Sequence, residues 1–192
     1  MRPIHLLAAL AAIALCACAS ANPRAGADFQ VTSVDVGKER LVLFEYDAQH
    51  RPYRSFARVA EALARQGKQL RFAMNGGMFE ADGSPVGLLV IDGRELAPLN
   101  RKSGAGNFYL KPNGVFALTR SGPRVVATDD YPAIASETVH ATQSGPMLVK
   151  DGIINPLFSP TSTSRYIRNG VCAVGSTVHL VISNVPVTFH EM

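Results

Sequence analysis

Two Asp-Gly pairs, each of which follows a short run with apolar residues, constrain the fold of this chain more than any other local feature. Asp92-Gly93 joins residues 88–91 to residues 94–97, which is the strongest short-range signal for a two-residue β-hairpin. Residues 148–152 repeat the pattern around Asp151-Gly152, so one type of hairpin is expected twice. Two short copies do not make a solenoid. The chain is therefore expected to be rich in hairpins.

Further apolar runs predict more strands. Residues 29–36 and 41–46 are rich in Val, Leu and aromatic residues and are separated by a Gly-Lys-Glu-Arg turn, which predicts a hairpin. Another hairpin is predicted between residues 108–110 and 115–118, with the Lys-Pro-Asn-Gly sequence of residues 111–114 as its turn. Residues 70–74 predict a buried strand, and residues 178–182 predict a final apolar strand.

One segment has the apolar period of a helix. Apolar residues recur at positions 56, 59, 60, 63 and 64, with Ser55 placed as the N-cap and Gly67 as the C-terminal stop. The helix lies between two predicted strands, which indicates a strand-helix-strand unit among the hairpins. The fold class predicted from this order is α+β, with a mixed, largely antiparallel sheet and at least one packed helix.

The first 21 residues are typical of a secretory signal peptide: Arg2 is positive, residues 6–15 are apolar, and small residues follow. The apolar stretch is about half of the roughly 20 residues that a membrane-spanning helix needs. Two processing routes remain open. The sequence around Cys18 resembles a bacterial lipobox, in which Cys18 would be lipidated, and cleavage after Ala21 is the alternative. Residues 22–28 then form a tether, and the domain begins at residue 29.

Composition favours one exported domain. The chain has 192 residues, of which 47% are hydrophobic, enough for one sizeable core. The formal net charge of +4 is scattered, and both this scatter and export argue against a nucleic-acid partner. The expected location is the periplasm or the outer membrane as a lipoprotein, with membrane contact only through an N-terminal lipid. Cys172 is the one cysteine beyond the signal, and a buried, inert thiol is the favoured interpretation.

Glycine-rich loops with amide or hydroxyl side chains are the candidate binding elements. Asn75-Gly76-Gly77 follows the predicted strand of residues 70–74, where glycine would let backbone N–H groups approach a ligand closely. The sequence Gln143-Ser144-Gly145 precedes another apolar run and could hold a ligand hydroxyl or a phosphate oxygen. All six residues are predicted site residues, with Asn75 in a catalytic role and the others in substrate binding.

Arg168 would supply the positive charge of the site. Its guanidinium is permanently charged and a glycine turn follows it, so we predict a catalytic role for Arg168 and a substrate-binding role for Asn169. Arg165 is expected to be a solvated charge. Glu80, beside the Asn75 loop, is the acidic candidate. We expect these groups to converge on one cavity for an anionic or sugar-phosphate ligand.

No cofactor or metal is predicted. The sequence has no cluster of His, Cys and carboxylates at a recognised ligand spacing, no P-loop and no dinucleotide fingerprint. The five histidines lie far apart in the sequence, although distant residues can converge in a fold.

At these motifs the chain resembles the phosphodiester glycosidase family. The family pattern has an Asn-Gly-Gly-x-aromatic loop, a Ser-Gly-Pro-x-Leu-Val stretch with an Asp-Gly turn, and an Arg followed by small residues. These correspond to residues 75–79, 144–152 and 168–171 of this chain. The resemblance extends over about residues 29–190, and the bacterial exported branch is the most similar part of the family. Members continue into a helix and an Asp-Gly-Gly-Ser-like motif, so the chain resembles a member whose C-terminal part is missing.

The resemblance implies a hydrolase of glycosyl phosphodiesters or of sugar-1-phosphate-linked glycans. Arg168 would hold the phosphate oxygens, while Asn75 and the amides of Gly76 and Gly77 would orient sugar hydroxyls or stabilise developing charge. The absence of the C-terminal motif keeps a second interpretation open, in which the protein is a non-catalytic cell-envelope lipoprotein that binds glycan through the same loops.

Overall fold

The computed structural model describes residues 28–192, and most of their regular structure is β-strand. The ten strands, numbered in chain order, are β1 Phe29–Asp35, β2 Leu89–Ile91, β3 Arg94–Ala97, β4 Gly114–Thr119, β5 Gly122–Ala127, β6 Thr138–Ser144, β7 Val149–Lys150, β8 Ile153–Ile154, β9 Asn169–Val174 and β10 Thr177–Ser183. The α-helix α1 is Phe56–Ala64, and short 3-10 turns precede β4 and β6.

The strands form three sheets. The largest has the order β3-β2-β6-β4-β5, the second has the order β1-β10-β9, and β7 and β8 form a separate hairpin. Asp92 and Gly93 both have positive φ, 50° and 73°, and Asp151 and Gly152 repeat this with 52° and 77°. Both Asp-Gly hairpins are therefore confirmed, with the backbone that a two-residue turn between twisted strands requires.

Two apolar clusters cover opposite faces of the five-stranded sheet. Strand alternation puts Val115 and Ala117 on one face, against Ala141 of β6 and a 3-10 turn. Phe116 and Leu118 point the other way and pack against Val178 and Leu180 of β10, with partly buried side chains around them. The three-stranded sheet therefore lies over one face of the five-stranded sheet.

The predicted helix is confirmed, including both of its ends. Ser55 is extended and its Oγ accepts a hydrogen bond from the Arg58 N–H, 3.3 Å away, which satisfies one N–H of the first turn. Gly67 has φ of 69°, and its N–H and that of Lys68 close the last turn on the carbonyls of Ala64 and Leu63.

The predicted α+β class is wrong. Every strand pair in residues 28–192 is antiparallel, and α1 is the one α-helix in that range, so the domain is mainly β with little helical content. The mixed sheet depended on a strand-helix-strand unit around α1, and residues 70–74 do not form a strand. They are an irregular segment whose Phe72 and Met74 pack against the core between the sheets.

Two other local predictions are also wrong. Residues 29–35 form β1, but its partner is β10 at the far end of the chain, and residues 41–45 have no strand structure. Residues 107–109 form a 3-10 turn rather than a strand, and Asn113 is buried beside it instead of turning a hairpin. Apolar content did not predict burial in the first of these segments, since Phe29, Val31 and Phe44 are exposed, and the hydrogen-bond partner of β1 is a distant strand.

The predicted signal peptide, the lipobox with Cys18, cleavage after Ala21 and the tether up to residue 27 lie outside the described residues. Within residues 28–192, we find no helix of the length and apolarity needed to cross a bilayer. Cys172 lies on β9 and is exposed, so the predicted burial of its thiol is wrong.

Candidate functional site

Residues 75–77, which we call the Asn75 turn, lie against the central strand β6. A Cβ atom placed on Gly77 would lie 2.7 Å from the carbonyl oxygen of Gln143 and would clash with the hydroxyl of Thr142. At Gly76 the nearest atom to such a Cβ is Leu43 Cδ2 at 3.5 Å, which is an ordinary contact. Gly77 is therefore required for the close approach of the turn to β6, and Gly76 is not.

Asn169 joins this turn to the three-stranded sheet. Its Nδ2 donates a hydrogen bond to the backbone carbonyl of Asn75 at 3.0 Å, across 94 positions of sequence. The Asn75 side chain is exposed and makes no hydrogen bond to the described part of the protein. The turn is thus fixed through its backbone on two sides, and the Asn75 carboxamide remains available to a ligand.

Gln143 is buried, with 1% of its surface exposed, and its carboxamide is fully used inside the protein. Oε1 accepts hydrogen bonds from the N–H groups of Leu88 (3.0 Å) and Asn100 (2.9 Å). Nε2 donates to the Asn100 carbonyl (2.7 Å) and to the Thr128 hydroxyl (3.0 Å). The side chain holds the chain segments before β2 and after β3 against β6, and this geometry favours a structural role over contact with substrate.

Ser144 is the last residue of β6, and Gly145 follows it. Gly145 lies so close to the backbone of Phe108 that an added Cβ would be 2.5 Å from its carbonyl oxygen, so this glycine serves packing. Ser144 is half-buried, lies on the same face of β6 as Thr142, and its hydroxyl makes no hydrogen bond within residues 28–192. Of the two, Ser144 is the residue that can contact a ligand.

Arg168 is buried at the entrance to β9, and its side chain is held from several directions. Nε donates to the Val187 carbonyl at 2.8 Å, and Nη2 donates to the Ser164 carbonyl at 3.0 Å. The guanidinium carbon lies 3.7 Å from the ring centroid of Phe189 and 5.3 Å from that of Tyr166. Stacking on an aromatic ring and two carbonyl acceptors fix the plane of the guanidinium before any ligand arrives.

The charge of Arg168 has no carboxylate partner in the described part of the chain. It takes part in none of the ion pairs there, and burial lowers the pKa of Arg168 below its ordinary value, because desolvation disfavours the charged form. Nη1 donates no hydrogen bond to residues 28–192. Every solvent-inaccessible side-chain nitrogen or oxygen in that range has a hydrogen-bond partner, so Nη1, which has none, must be accessible to solvent. A fixed cation with one open edge is suited to binding an anion.

The Asn75 turn and the Arg168 guanidinium lie on opposite sides of the start of β9. Side chains alternate along an extended chain, so Asn169 reaches the turn while Arg168 points away, towards Phe189. Gly170 shares the side of Arg168 and lies near Met192, and Val171 shares the side of Asn169 and packs between the sheets. The expected convergence of both groups in one enclosed cavity is therefore wrong. The site has two polar centres separated by one strand.

Comparison with known proteins identifies the family. The family model described as phosphodiester glycosidase matches residues 68–192, about two thirds of the chain. This chain belongs to the phosphodiester glycosidase family. It is also 34% identical over 162 residues to the uncharacterized protein YigE of Escherichia coli K12. That alignment covers 84% of this chain and 62% of YigE, so the chain spans less than two thirds of the length of this relative.

Both polar centres lie within the part of the chain that matches the phosphodiester glycosidase family. The two charged candidates near them have different surroundings. Glu80 is exposed in the turn after Phe79, where its backbone N–H donates to the Ser84 carbonyl at 2.8 Å and its carboxylate makes no hydrogen bond to residues 28–192. Arg165 is an exposed residue whose guanidinium binds the Glu191 carboxylate at 2.9 Å.

Sequence reasoning missed three residues that shape these centres: Thr142, Phe189 and Tyr166. Alternation within β6 could have placed Thr142 beside Ser144, since the two are separated by one residue. No comparable signal pointed to Phe189. It lies in a turn of residues 188–192 in which Thr188 Oγ1 accepts from the Glu191 N–H and the Glu191 carboxylate accepts from the Thr188 N–H. This reciprocal pair presents Phe189 to Arg168.

Within residues 28–192, no three His, Cys, Asp or Glu side chains come close enough together to hold a metal ion. The polar groups of the two centres are amides, hydroxyls and a guanidinium, which bind sugars and phosphates directly.

Proposed function

We propose that this domain hydrolyses glycosyl phosphodiesters or related sugar-1-phosphate-linked glycans. The observation that carries the proposal is the buried, preoriented guanidinium of Arg168, which lacks a carboxylate within residues 28–192 and has Nη1 open to solvent. A buried cation without a counter-charge is costly, and a charged group in such surroundings is a candidate for binding an anionic ligand. Membership of the phosphodiester glycosidase family supports phosphate as that anion.

A glycosyl phosphodiester has two polar parts, and the two centres would divide them. Arg168 would hold the phosphate oxygens on one side of β9. Asn75, with the backbone amides of Gly76 and Gly77, would orient sugar hydroxyls and stabilise developing charge on the other side. The hydrogen bond from Asn169 to the Asn75 carbonyl links the chain segment that carries Arg168 to the Asn75 turn. Glu80, with its exposed carboxylate beside the turn, is the residue to substitute first in a search for the acid–base group.

The activity is tested with a panel of sugar-1-phosphodiesters and with three purified variants. Arg168→Ala should lower kcat/KM by about 10²-fold, the usual cost of losing one preorganised charge-stabilising group. Arg168→Lys should recover only part of the loss, because an ammonium keeps the charge without the planar fork. Arg165→Ala is the matched control, since Arg165 is an exposed arginine already paired with Glu191, and it should leave kcat/KM within about 3-fold.

Two results would contradict the proposal. One is a wild-type protein that hydrolyses none of the panel, and the other is an Arg168→Ala variant that is folded and as active as Arg165→Ala. Thermal melting of each variant distinguishes loss of the guanidinium from loss of the fold. Binding of sugar phosphates without release of product would instead support the non-catalytic glycan-binding protein.

Export completes the proposal. The apolar N-terminal segment and the sequence around Cys18 support secretion with lipidation, and the small residues before Asn22 support cleavage after Ala21 instead. In either case the protein would act in the cell envelope. Mass spectrometry of the mature N-terminus decides between a diacylglyceryl group on Cys18 and an unmodified chain that begins at Asn22, and an uncleaved N-terminus would contradict export.

A further inference from the structure

Thr142 is the exception among the buried threonines of residues 28–192. Four threonines are buried there: Thr128, Thr138, Thr142 and Thr188. The hydroxyls of Thr128 and Thr138 donate to backbone carbonyls at 3.1 Å and 3.0 Å, and that of Thr188 accepts from a backbone N–H at 3.2 Å. The Thr142 hydroxyl makes no hydrogen bond to this part of the protein, although only 7% of the residue is exposed.

An unpartnered hydroxyl in such a position needs an explanation, because buried polar groups in native proteins are nearly always hydrogen-bonded. The hydroxyl is not sealed off, since no side-chain oxygen or nitrogen that is both inaccessible and unpartnered occurs within residues 28–192. Oγ1 is therefore reached through a small opening. A buried hydroxyl that is accessible at its oxygen and has no partner within residues 28–192 can form a hydrogen bond with a ligand.

Two apolar residues and the Asn75 turn surround the Thr142 hydroxyl. On the central strand β6, Thr142 lies between Leu89 of β2 and Phe116 of β4, both of which are apolar and buried. Above it lies the Asn75 turn: a Cβ on Gly77 would clash with Thr142 Oγ1, and one on Gly76 would be 3.8 Å from it. Neither apolar neighbour can accept or donate a hydrogen bond. The hydroxyl thus faces the backbone of the turn to which we assign sugar binding.

We propose that Thr142 is a specificity-determining residue whose hydroxyl binds one hydroxyl group of the sugar held at the Asn75 turn. Ser144 lies two residues further along the same face of β6 and also has a hydroxyl without a partner in residues 28–192, so β6 presents two hydroxyls in a row. Side chains two residues apart on a strand are about 7 Å apart, too far to bind adjacent hydroxyls of one pyranose ring, so the assignment concerns Thr142 alone. This inference rests on the proposed function for the class of ligand, but it concerns recognition and does not require turnover.

Binding measurements with two substitutions test the assignment. Hexose 1-phosphates are titrated into the protein by calorimetry, and monodeoxy analogues of the best binder are then compared. Thr142→Val removes the hydroxyl with little change in shape and should weaken binding about 3- to 10-fold, the effect of one neutral hydrogen bond. Thr142→Ser should restore the affinity. One deoxy analogue should bind wild type and Thr142→Val equally weakly. That analogue lacks the sugar hydroxyl that Thr142 binds, so removal of the Thr142 hydroxyl causes no further loss of affinity.

Melting temperatures distinguish the binding role of Thr142 from a structural role, because removal of a hydroxyl that stabilises the fold would lower the melting temperature. Since the hydroxyl bonds to no described residue, Thr142→Val should keep the melting temperature within about 2 °C of wild type. The matched control is Thr177→Val, on β10 at the end of the β9–β10 pair remote from Asn169, and it should change neither affinity nor melting temperature.

Three outcomes would overturn the assignment. In the first, Thr142→Val binds the sugar phosphate as tightly as wild type. In the second, each deoxy analogue loses the same factor with both proteins, which means that Thr142 reads no sugar hydroxyl. In the third, wild type binds no hexose 1-phosphate, which overturns the proposed ligand as well. Tight binding and hydroxyl discrimination without any hydrolysis would contradict only the proposed catalytic function.

Discussion

Asn169 donates a hydrogen bond from Nδ2 to the backbone carbonyl of Asn75 at 3.0 Å and so joins the two sheets at the candidate site. The donor lies on the first residue of β9, and the acceptor lies in a turn packed against β6. Asn169 and Asn75 are 94 residues apart in sequence, so the turn is positioned by the tertiary structure and not by its own sequence. Its rigidity can therefore be changed from a distance.

Replacing Asn169 with Ala should loosen the Asn75 turn. Loss of one partly exposed hydrogen bond costs about 1 kcal/mol, which corresponds to a roughly fivefold larger equilibrium constant for opening of the turn and hence to faster amide exchange. Hydrogen–deuterium exchange of a peptide that covers residues 75–79 measures this directly. Asn107→Ala is the control, because Asn107 is an exposed asparagine whose side chain bonds to no residue in the described range. Equal exchange in both variants would show that this hydrogen bond does not hold the turn.

The two glycines of the turn should respond very differently to alanine. Gly77→Ala puts a Cβ 2.7 Å from the Gln143 carbonyl oxygen and against the Thr142 hydroxyl, so the turn must move away from β6. The expected cost is about 1–3 kcal/mol of unfolding free energy, as for other overpacked sites. Gly76→Ala makes only ordinary contacts and should stay within about 0.5 kcal/mol of wild type. Urea denaturation measures both, and equal losses would refute this view of the turn.

Local turn chemistry explains which parts of the fold could be predicted. The Asp92-Gly93 and Asp151-Gly152 hairpins were predicted correctly because the two residues themselves adopt the positive φ values. The helix was predicted correctly because its cap, its period and its stop are all local. In contrast, β1 pairs with β10, where Phe29 lies opposite Ser183. Nothing near residue 29 specifies a partner so far along the chain. The sequence therefore predicts that residues 29–36 pair with the nearest apolar run.

The candidate site shows the same division. The sequence pointed to the Asn75 turn and to the Arg168 segment through glycine and charge, and the structure brings both to the start of β9. The sequence could not show on which side of β9 each group lies, since that depends on the register of β9 with β10. Gln143 was chosen because it is an amide beside glycine, yet its hydrogen bonds are internal. Whether a buried amide or hydroxyl has a partner depends on every neighbour, and that information is not local.

Gln143→Leu should destabilise the domain strongly. The substitution keeps most of the volume but leaves the N–H groups of Leu88 and Asn100, the Asn100 carbonyl and the Thr128 hydroxyl without this partner. Several buried groups that lose hydrogen bonds should cost more than about 2 kcal/mol in total. Gln66→Leu is the control and should have little effect, because Gln66 is exposed and its side chain bonds to Lys68 alone within residues 28–192. A near-neutral Gln143→Leu in urea denaturation would argue that Gln143 serves ligand binding instead.

His140 should make the domain less stable as the pH falls below about 6.5, the ordinary pKa of histidine. Burial lowers the pKa of His140, while the nearby Asp92 carboxylate opposes the shift and Arg40 adds to it. The geometry agrees, since Nδ1 accepts a hydrogen bond from the Asp92 N–H at 3.3 Å and must be unprotonated to do so. Between the folded and the unfolded pKa, the unfolded chain binds more protons, so the free energy of unfolding increases with pH in that window.

Replacing His140 with Gln should remove this part of the pH dependence. Glutamine can still accept the hydrogen bond from Asp92 but does not titrate, so the loss of stability between pH 7.5 and pH 5.5 should be smaller in His140→Gln than in wild type. His50→Gln, at an exposed histidine, is the control and should keep the wild-type dependence. Thermal melting at both pH values measures the difference. A steeper loss in His140→Gln than in wild type would mean that the histidine is charged in the folded protein and that its pKa is raised.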